Sequence, residues 1–341
     1  TLGRLLLGLL VHSKNKIKIV GDRSLSKRDF LRVTKPLNKF GAKFESRLGK
    51  LPIIVQGTEK AKPIKFFENK GSAQCKSSIM LAALNTEGTT TIKAKKSRNH
   101  TELLFKYLDL PIKIRNLKNY DLIKIQGKKN IRPLNYNIPS DISSSAFFIV
   151  LTALTNDSKL EIKNVNINPT RIGIIKILRK MGVKILMLNK KIYKGEPLAD
   201  ISVVSPQTLK SINCPTKFNS GAIDEFLVIF LIAAKANGIS YFRNLEELNK
   251  KESPRLIWGS KILKMMGVKV ITTNDSIKIF GNPQLKINKK IVVQKYFKDH
   301  RIFMTSVVAA LSFGGEWHIH DKDSIKTSFP SFLKIMNNLK K

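Results

Sequence analysis

Apolar residues recur along the chain in two rhythms. In 172–181, Ile172, Ile175, Ile177, Leu178 and Met181 follow the three-to-four spacing of a helix with one buried face. Other stretches, at 2–11, 74–85, 144–155, 225–237 and 301–313, are apolar and rich in small residues, and several are nearly apolar all round, as in FLVIFLIAA at 226–234. A helix of that kind is buried on every side. Each is followed by a strand (16–20, 89–94, 159–164, 240–244, 316–320) and then by an amphipathic helix (26–40, 100–108, 169–181, 254–266, 329–339). Two more strands close the unit, for example 183–188 with 201–204 and 268–272 with 277–280.

The unit recurs five times, its last copy truncated, with starts about 70–80 residues apart. That period is too long for a solenoid and natural for a supersecondary building block. Buried helices within repeated sheets imply an α/β protein with helices in the middle and sheets outside. A polar link with a proline, NYNIPSD at 135–141, reads as the hinge, so the expected domains are 1–138 (two units) and 139–341 (three units).

Composition changes this picture little. A chain of 341 residues with 42% hydrophobic content suits two ordinary domains. The net charge of +38 points to anionic partners: nucleic acid, acidic membrane or phosphorylated metabolites. The lysines are scattered through every segment, however, and abundant lysine, isoleucine and asparagine also follow from AT-rich coding. Cys75 and Cys214 stand alone, which fits a reducing compartment with no disulfide framework and no zinc site. His318 and His320 share a strand face without the acidic or thiol neighbours of a metal site. The opening TLGRLLLGLLV is too short to span a bilayer and carries an internal arginine, and no signal-peptide cleavage site follows it. A cytoplasmic protein without membrane contact is expected. The chain starts inside a helix pattern and without methionine, so a preceding N-terminal portion is expected as well.

Polar signatures sit where the repeated helices open. GSAQ-x-K at 71–76 offers a capping serine at a helix N-terminus, a ready anion site. SRNHTE at 97–102, Asp224-Glu225, KKESPR at 250–255 and Asp299-His300-Arg301 open other helices with hydroxyls, carboxylates and cations. Capping alone explains any one of them. Their recurrence in the same relative place, with arginines among them, favours a shared anion cleft.

The order of these motifs resembles the EPSP synthase (3-phosphoshikimate 1-carboxyvinyltransferase) family. The matching stretches are TLGRLLLGLL, GDRSLSKR, GSAQCKSSIMLAALNTEGTTTI, SRNHTELL, DISSSAFF, NPTRIGIIKILRKMG, IDEFLVIF, FRNLEELNKKESPRL, DHRIFM and TSFPSF, in family order along nearly the whole chain. The resemblance implies a two-domain inside-out α/β barrel of the enolpyruvyl transferase type, built from βαβαββ units. It implies transfer of the enolpyruvyl group of phosphoenolpyruvate to the 5-hydroxyl of shikimate 3-phosphate, with release of phosphate. By the same carry-over, Ser72, Ala73, Gln74, Ser97 and Arg98 hold shikimate 3-phosphate, with Asp224 and Lys251. Arg28, Gln74, Arg255 and Arg301 hold phosphoenolpyruvate, guanidinium forks being suited to phosphate and carboxylate. Asp224 takes the hydroxyl proton, Glu252 serves the C3 methylene and Lys251 lies between them. The family implies no cofactor, no metal, no nucleic-acid partner and a monomer. It also implies that the chain starts within the NxGT-x-x-R motif, after a Lys–Ser–Arg loop.

Three positions depart from the family pattern. Asp29 replaces a proline beside Arg28, Pro254 replaces an aspartate before Arg255, and Ser140 replaces a glycine. Asp29 is expected to weaken the Arg28 clamp and Pro254 to re-aim Arg255, which leaves an inactive or partial relative as one alternative reading. A second alternative is a basic RNA-associated protein of similar fold, although no RNP or GXXG pattern supports it. A third is the UDP-N-acetylglucosamine enolpyruvyl transferase, which uses a loop cysteine, whereas Cys75 falls inside a helix.

Overall fold

A computed structural model of the chain describes residues 1–22, 25–127, 130–131 and 133–339. Arg23 and Ser24 of the GDRSLSKR stretch therefore lie outside the described residues. The chain divides into two units, Thr1–Tyr136 with Lys194–Glu196, and Asn137–Tyr193 with Pro197–Lys341. The division falls two residues before the boundary expected at 138/139. The return of 194–196 to the first unit has no counterpart in the hydrophobic pattern.

The first unit runs α1 (Leu2–Leu9), β1 (Lys16–Ile19), α2 (Leu31–Asn38), β2 (Lys43–Ser46), β3 (Ile53–Gln56), β4 (Lys65–Glu68), α3 (Ala73–Leu84), β5 (Thr89–Lys95), α4 (His100–Tyr107), β6 (Ile112–Asn116) and β7 (Tyr120–Gln126). Its sheets are β1-β3-β2 and β4-β5-β7-β6, antiparallel except for the parallel pair β4 and β5. Helices α1, α2 and α3 pack on one another. Along β5 the burial alternates, with Thr90, Ile92 and Ala94 inward and Lys93 and Lys95 exposed, as period-2 strands with one wet face require.

The second unit runs α5 (Ile142–Leu154), β8 (Lys159–Asn166), α6 (Gly173–Lys180), β9 (Lys184–Tyr193), β10 (Glu196–Val204), α7 (Asn219–Ala222), α8 (Phe226–Lys235), β11 (Ile239–Phe242), α9 (Arg255–Met265), β12 (Val270–Thr272), β13 (Ile277–Phe280), β14 (Lys290–Val293), α10 (His300–Phe313), β15 (Glu316–Ile319) and α11 (Phe332–Asn338). Its sheets are β8-β10-β9, β11-β13-β12 and the parallel pair β14-β15. Helices α5, α8 and α10 pack against each other at the centre. Every side chain of α8 from Phe226 to Ala234 is buried. At about 1.5–3 kcal/mol for each large apolar side chain taken from water, α8 anchors this core.

The copies share one sheet order. The strand after the first helix pairs with the last strand, which pairs with the middle one, in β1-β3-β2, β5-β7-β6, β8-β10-β9 and β11-β13-β12. Strand β4 precedes α3 and lies parallel to β5, which completes a βαβαββ unit. The same leading strand recurs as β14 beside β15. It shrinks to single parallel bridges at Ser140–Val165 and Asn213–Tyr241. Gly127 and Gly281 mark one point of the repeat, directly after the closing strand. A Cβ there would lie 1.7 Å from the Thr86 carbonyl oxygen or 2.1 Å from that of Ala236, so no larger residue fits without moving backbone.

Three helices start three or more residues later than the apolar spacing indicates, among them α11 at Phe332, not 329. α2 begins at Leu31, not 26, because the Asp29 carboxylate accepts from the Leu31 amide at 2.7 Å. α6 begins at Gly173, not 169, because the buried Asn168 side chain holds the Thr170 amide (2.9 Å) and hydroxyl (2.7 Å) in a turn. Short polar side chains that bind nearby backbone compete with helix in this way.

Candidate active site

In the first unit, Ser72 caps α3, its hydroxyl accepting from the Cys75 amide at 3.2 Å. Ala73 and Gln74 form the first turn. The Gln74 amide oxygen accepts from Arg4 Nη1, and its Nε2 donates to Thr1 Oγ1 at 2.8 Å. Arg4 also donates to the Asp29 carbonyl at 2.8 Å and lies over the Phe30 ring. Burial, then the neighbouring Arg32 and Arg28, push the Arg4 pKa down. Arg28 thus shares a cationic neighbourhood with Arg4, Arg32 and Gln74. Asp29 acts on Arg4 in the opposite sense, and a cluster of guanidinium groups attracts further negative charge. Arg4 was the residue missed in the sequence. Its signal was present, as the one charged side chain inside TLGRLLLGLLV. The Asp29 carboxylate is turned to the Leu31 amide.

Ser97 and Arg98 lie in the turn before α4. The buried Lys76 of α3 donates to the Arg98 carbonyl at 3.0 Å and is paired with Glu102 of α4, so one cation joins the Ser72–Gln74 turn to the Ser97–Arg98 turn. The Ser97 hydroxyl oxygen is enclosed without a hydrogen-bond partner among the described residues.

In the second unit the starts of α8, α9 and α10 are tied together by side chains. Lys251 Nζ lies 3.0 Å from Asp224 Oδ1, and Arg301 Nη1 donates to the Asp224 carbonyl at 2.9 Å. Arg255 is the hub. It is 2% exposed, its Nε donates to Asp299 Oδ2 at 2.8 Å, its Nη2 pairs with Glu252, and its Nη1 lies 3.5 Å from Asp224 Oδ1. Asp299, fully buried, also accepts from the Ser253 hydroxyl (2.8 Å) and caps α10 through the Arg301 amide (3.0 Å). Burial alone would lower the Arg255 pKa, but Asp299, Glu252 and Asp224 outweigh it and the net shift is upward. Pro254 occupies the cap position directly before α9, leaving Arg255 at the first helical position. Asp299 was read only as a helix opener; the structure makes it the main partner of Arg255, 44 residues away.

Two titratable groups beside this network are shifted by their surroundings. Burial raises the Glu225 carboxyl, opposed by Arg301 and Arg171 and by the Ser143 hydroxyl that donates to it. Burial and the neighbouring Arg301 lower His300. Among the described residues no group of three His, Cys, Asp or Glu could hold a metal ion, and no helix is long and apolar enough to cross a membrane. His318 is bonded to Glu316 on β15 at 2.6 Å.

Cys75 is buried in α3, and its thiol donates to the Arg32 carbonyl at 3.0 Å. Burial first, then Glu68, push it up to about 12. Since only the thiolate reacts, alkylation of Cys75 at pH 8 is expected to run roughly 10³-fold slower than that of a free cysteine. Iodoacetamide labelling of native and urea-unfolded protein checks this. Fast native labelling at Cys75 would contradict the buried environment.

Comparison with known proteins follows the same lines. The solved enolpyruvyl transferase NikO from Streptomyces tendae, 15% identical, superposes with a TM-score of 0.74 over 98% of this chain and 75% of its own. The fold is therefore that of the enolpyruvyl transferases. EPSP synthase from Acinetobacter baumannii, 36% identical, matches with a TM-score of 0.87 over 98% of this chain and 76% of that one. The 3-phosphoshikimate 1-carboxyvinyltransferase of Endomicrobium trichonymphae is 37% identical over 99% of this chain and 77% of its own length. That of Thermoanaerobacter sp. strain X514 is 40% identical over 98% and 78%. The family model for EPSP synthase (3-phosphoshikimate 1-carboxyvinyltransferase) matches residues 1–336. The chain belongs to the EPSP synthase family, and its reaction is the carboxyvinyl transfer of the shikimate pathway.

Proposed function

We propose that Asp224, Lys251 and Glu252 carry the proton transfers of this reaction, and that the two substrates are held by Ser72, Ala73, Gln74, Ser97 and Arg98 (shikimate 3-phosphate) and by Arg28, Arg255 and Arg301 (phosphoenolpyruvate). Gln74 serves both substrates, and Asp224 and Lys251 also hold shikimate 3-phosphate. The observation that supports it best is the sharing of one guanidinium: Arg255 touches both the candidate base Asp224 and the candidate acid Glu252.

Asp224 accepts the proton of the 5-hydroxyl as that oxygen bonds to C2 of phosphoenolpyruvate. Glu252 in its acid form gives a proton to C3, which yields a tetrahedral intermediate that still carries the phosphate. Glu252 then takes a proton back from C3, the C–O bond to phosphate breaks, and phosphate leaves. Lys251 and Arg301, at the starts of α9 and α10, stabilise the negative charge together with the helix N-termini. Positioned acids and bases of this type contribute about 10²–10⁴-fold each. The reaction so written needs no cofactor, and we place the protein in the cytoplasm as a monomer. The enclosed Ser97 hydroxyl fits the same reading. An unmet hydroxyl costs about 1–3 kcal/mol, which a phosphate oxygen would remove.

Calorimetric titration with shikimate 3-phosphate tests the assignment on the first unit. Losing a charge-assisted hydrogen bond costs about 1.5–3 kcal/mol, so Arg98→Ala is expected to weaken binding by roughly 10–100-fold. Unchanged affinity would remove Arg98 from the phosphate site.

A further inference from the structure

Lys76 closes the GSAQ-x-K signature, yet no substrate-binding or catalytic role falls to it. Its side chain is fully buried within α3, whose other buried residues include Cys75, Ile79 and Met80. Its ammonium pairs with Glu102, 3% exposed, and donates to the Arg98 carbonyl at 3.0 Å. Glu102 Oε2 is buried without a hydrogen-bond partner among the described residues. One residue further on, Ser77 and Thr101 share a hydrogen bond of 2.7 Å between the same two helices.

A buried ion pair is a poor source of stability. Desolvating both charges is expensive, and replacing such a pair with apolar residues of similar volume is often neutral or stabilising. Here the pair is also incompletely satisfied, since one carboxylate oxygen is left over. What the ammonium does achieve is geometric. It pins the carbonyl of Arg98, in the turn before α4, to the first turn of α3, which Ser72 caps and Ala73 and Gln74 open.

We propose that the Lys76–Glu102 pair is a positioning device, which sets the Ser97–Arg98 turn at a fixed distance from the Ser72–Gln74 turn so that both meet one phosphorylated ligand. Lys76 itself touches no substrate; it acts through the Arg98 backbone. The inference rests on the assignment of Ser97 and Arg98 to shikimate 3-phosphate. Displacement of binding groups by about 1 Å costs up to ~10²-fold, so loosening the turn acts on affinity and not on the fold.

The test is a mutant cycle on the full chain, read by calorimetry with shikimate 3-phosphate and by thermal unfolding. The Lys76→Met/Glu102→Leu variant removes the pair without stranding a charge. It is expected to unfold at or above the wild-type temperature and to bind shikimate 3-phosphate roughly 10–100-fold more weakly. In the Arg98→Ala background the same double change is expected to cost less than in the wild type, the remainder acting through Ser97 of that turn. A general structural role would instead add to Arg98→Ala. Should the double variant fail to fold, Glu102→Gln serves. It keeps the shape, releases the ammonium from its anchor, and is expected to weaken binding by ~3–10-fold. Unchanged affinity in the variant that folds, or full additivity with Arg98→Ala, overturns the positioning role. Loss of affinity in neither Arg98→Ala nor the Lys76 variants overturns the underlying assignment of the turn to the ligand instead.

Discussion

Asp299→Ala is expected to destabilise the second unit by about 3–5 kcal/mol, with a further ~1 kcal/mol from the lost helix cap. The carboxylate is fully buried and accepts from Arg255 Nε and Nη2, from the Ser253 hydroxyl and from the Arg301 amide. Removing it leaves Arg255, only 2% exposed, as a buried guanidinium short of its principal counter-charge. Glu252 and Asp224 remain near but were already engaged. Against a usual total of about 5–15 kcal/mol, this loss threatens folding itself. Urea unfolding followed by tryptophan fluorescence is the right probe, because Trp258 and Trp317 both lie in the second unit, Trp258 on α9 itself. A change below about 1 kcal/mol, the scale of an exposed ion pair, would mean that the Arg255–Asp299 pair is not the structural hub described.

Asp224→Asn isolates chemistry from stability. The amide keeps the shape and an oxygen for Lys251 but has no basic lone pair, so kcat is expected to fall by about 10²–10⁴-fold. The melting temperature should fall less than for Asp299→Ala, because the Arg301 bond to the Asp224 carbonyl remains and Asp299 and Glu252 still face Arg255. Steady-state kinetics with thermal unfolding on the same sample separates the two. A kcat near the wild-type value would exclude Asp224 as the base.

The repeat was legible because several of its first helices, α5 and α8 above all, are buried on nearly every side, a pattern that few other environments explain. Helix α8 was placed within two residues at either end. Its partners' starts were less legible: Asp29 and Asn168 delay α2 and α6 by side-chain hydrogen bonds to backbone, which periodicity does not register. Strands β4 and β14, which precede the first helix of their units, were not assigned from the apolar pattern. The return of 194–196 to the first unit brings Glu196 to His100 at 2.6 Å, a contact across 96 positions that no local pattern announces. At the site, the motifs marked helix openings but not how their side chains pair. Arg255 was read as one of the clamp arginines, with no sign in the sequence of the carboxylates that surround it, one of them contributed by the start of α10. Spacing along a chain finds helix openings; only the packing of α8, α9 and α10 shows which openings meet.

The most direct measurement of the account as a whole is phosphate release by the purified protein, with each substrate alone and with both together. The account predicts one phosphate released per shikimate 3-phosphate consumed, a carboxyvinyl ether as the second product, and no release from phosphoenolpyruvate alone. Binding of both substrates without phosphate release, or release that does not depend on shikimate 3-phosphate, would contradict it.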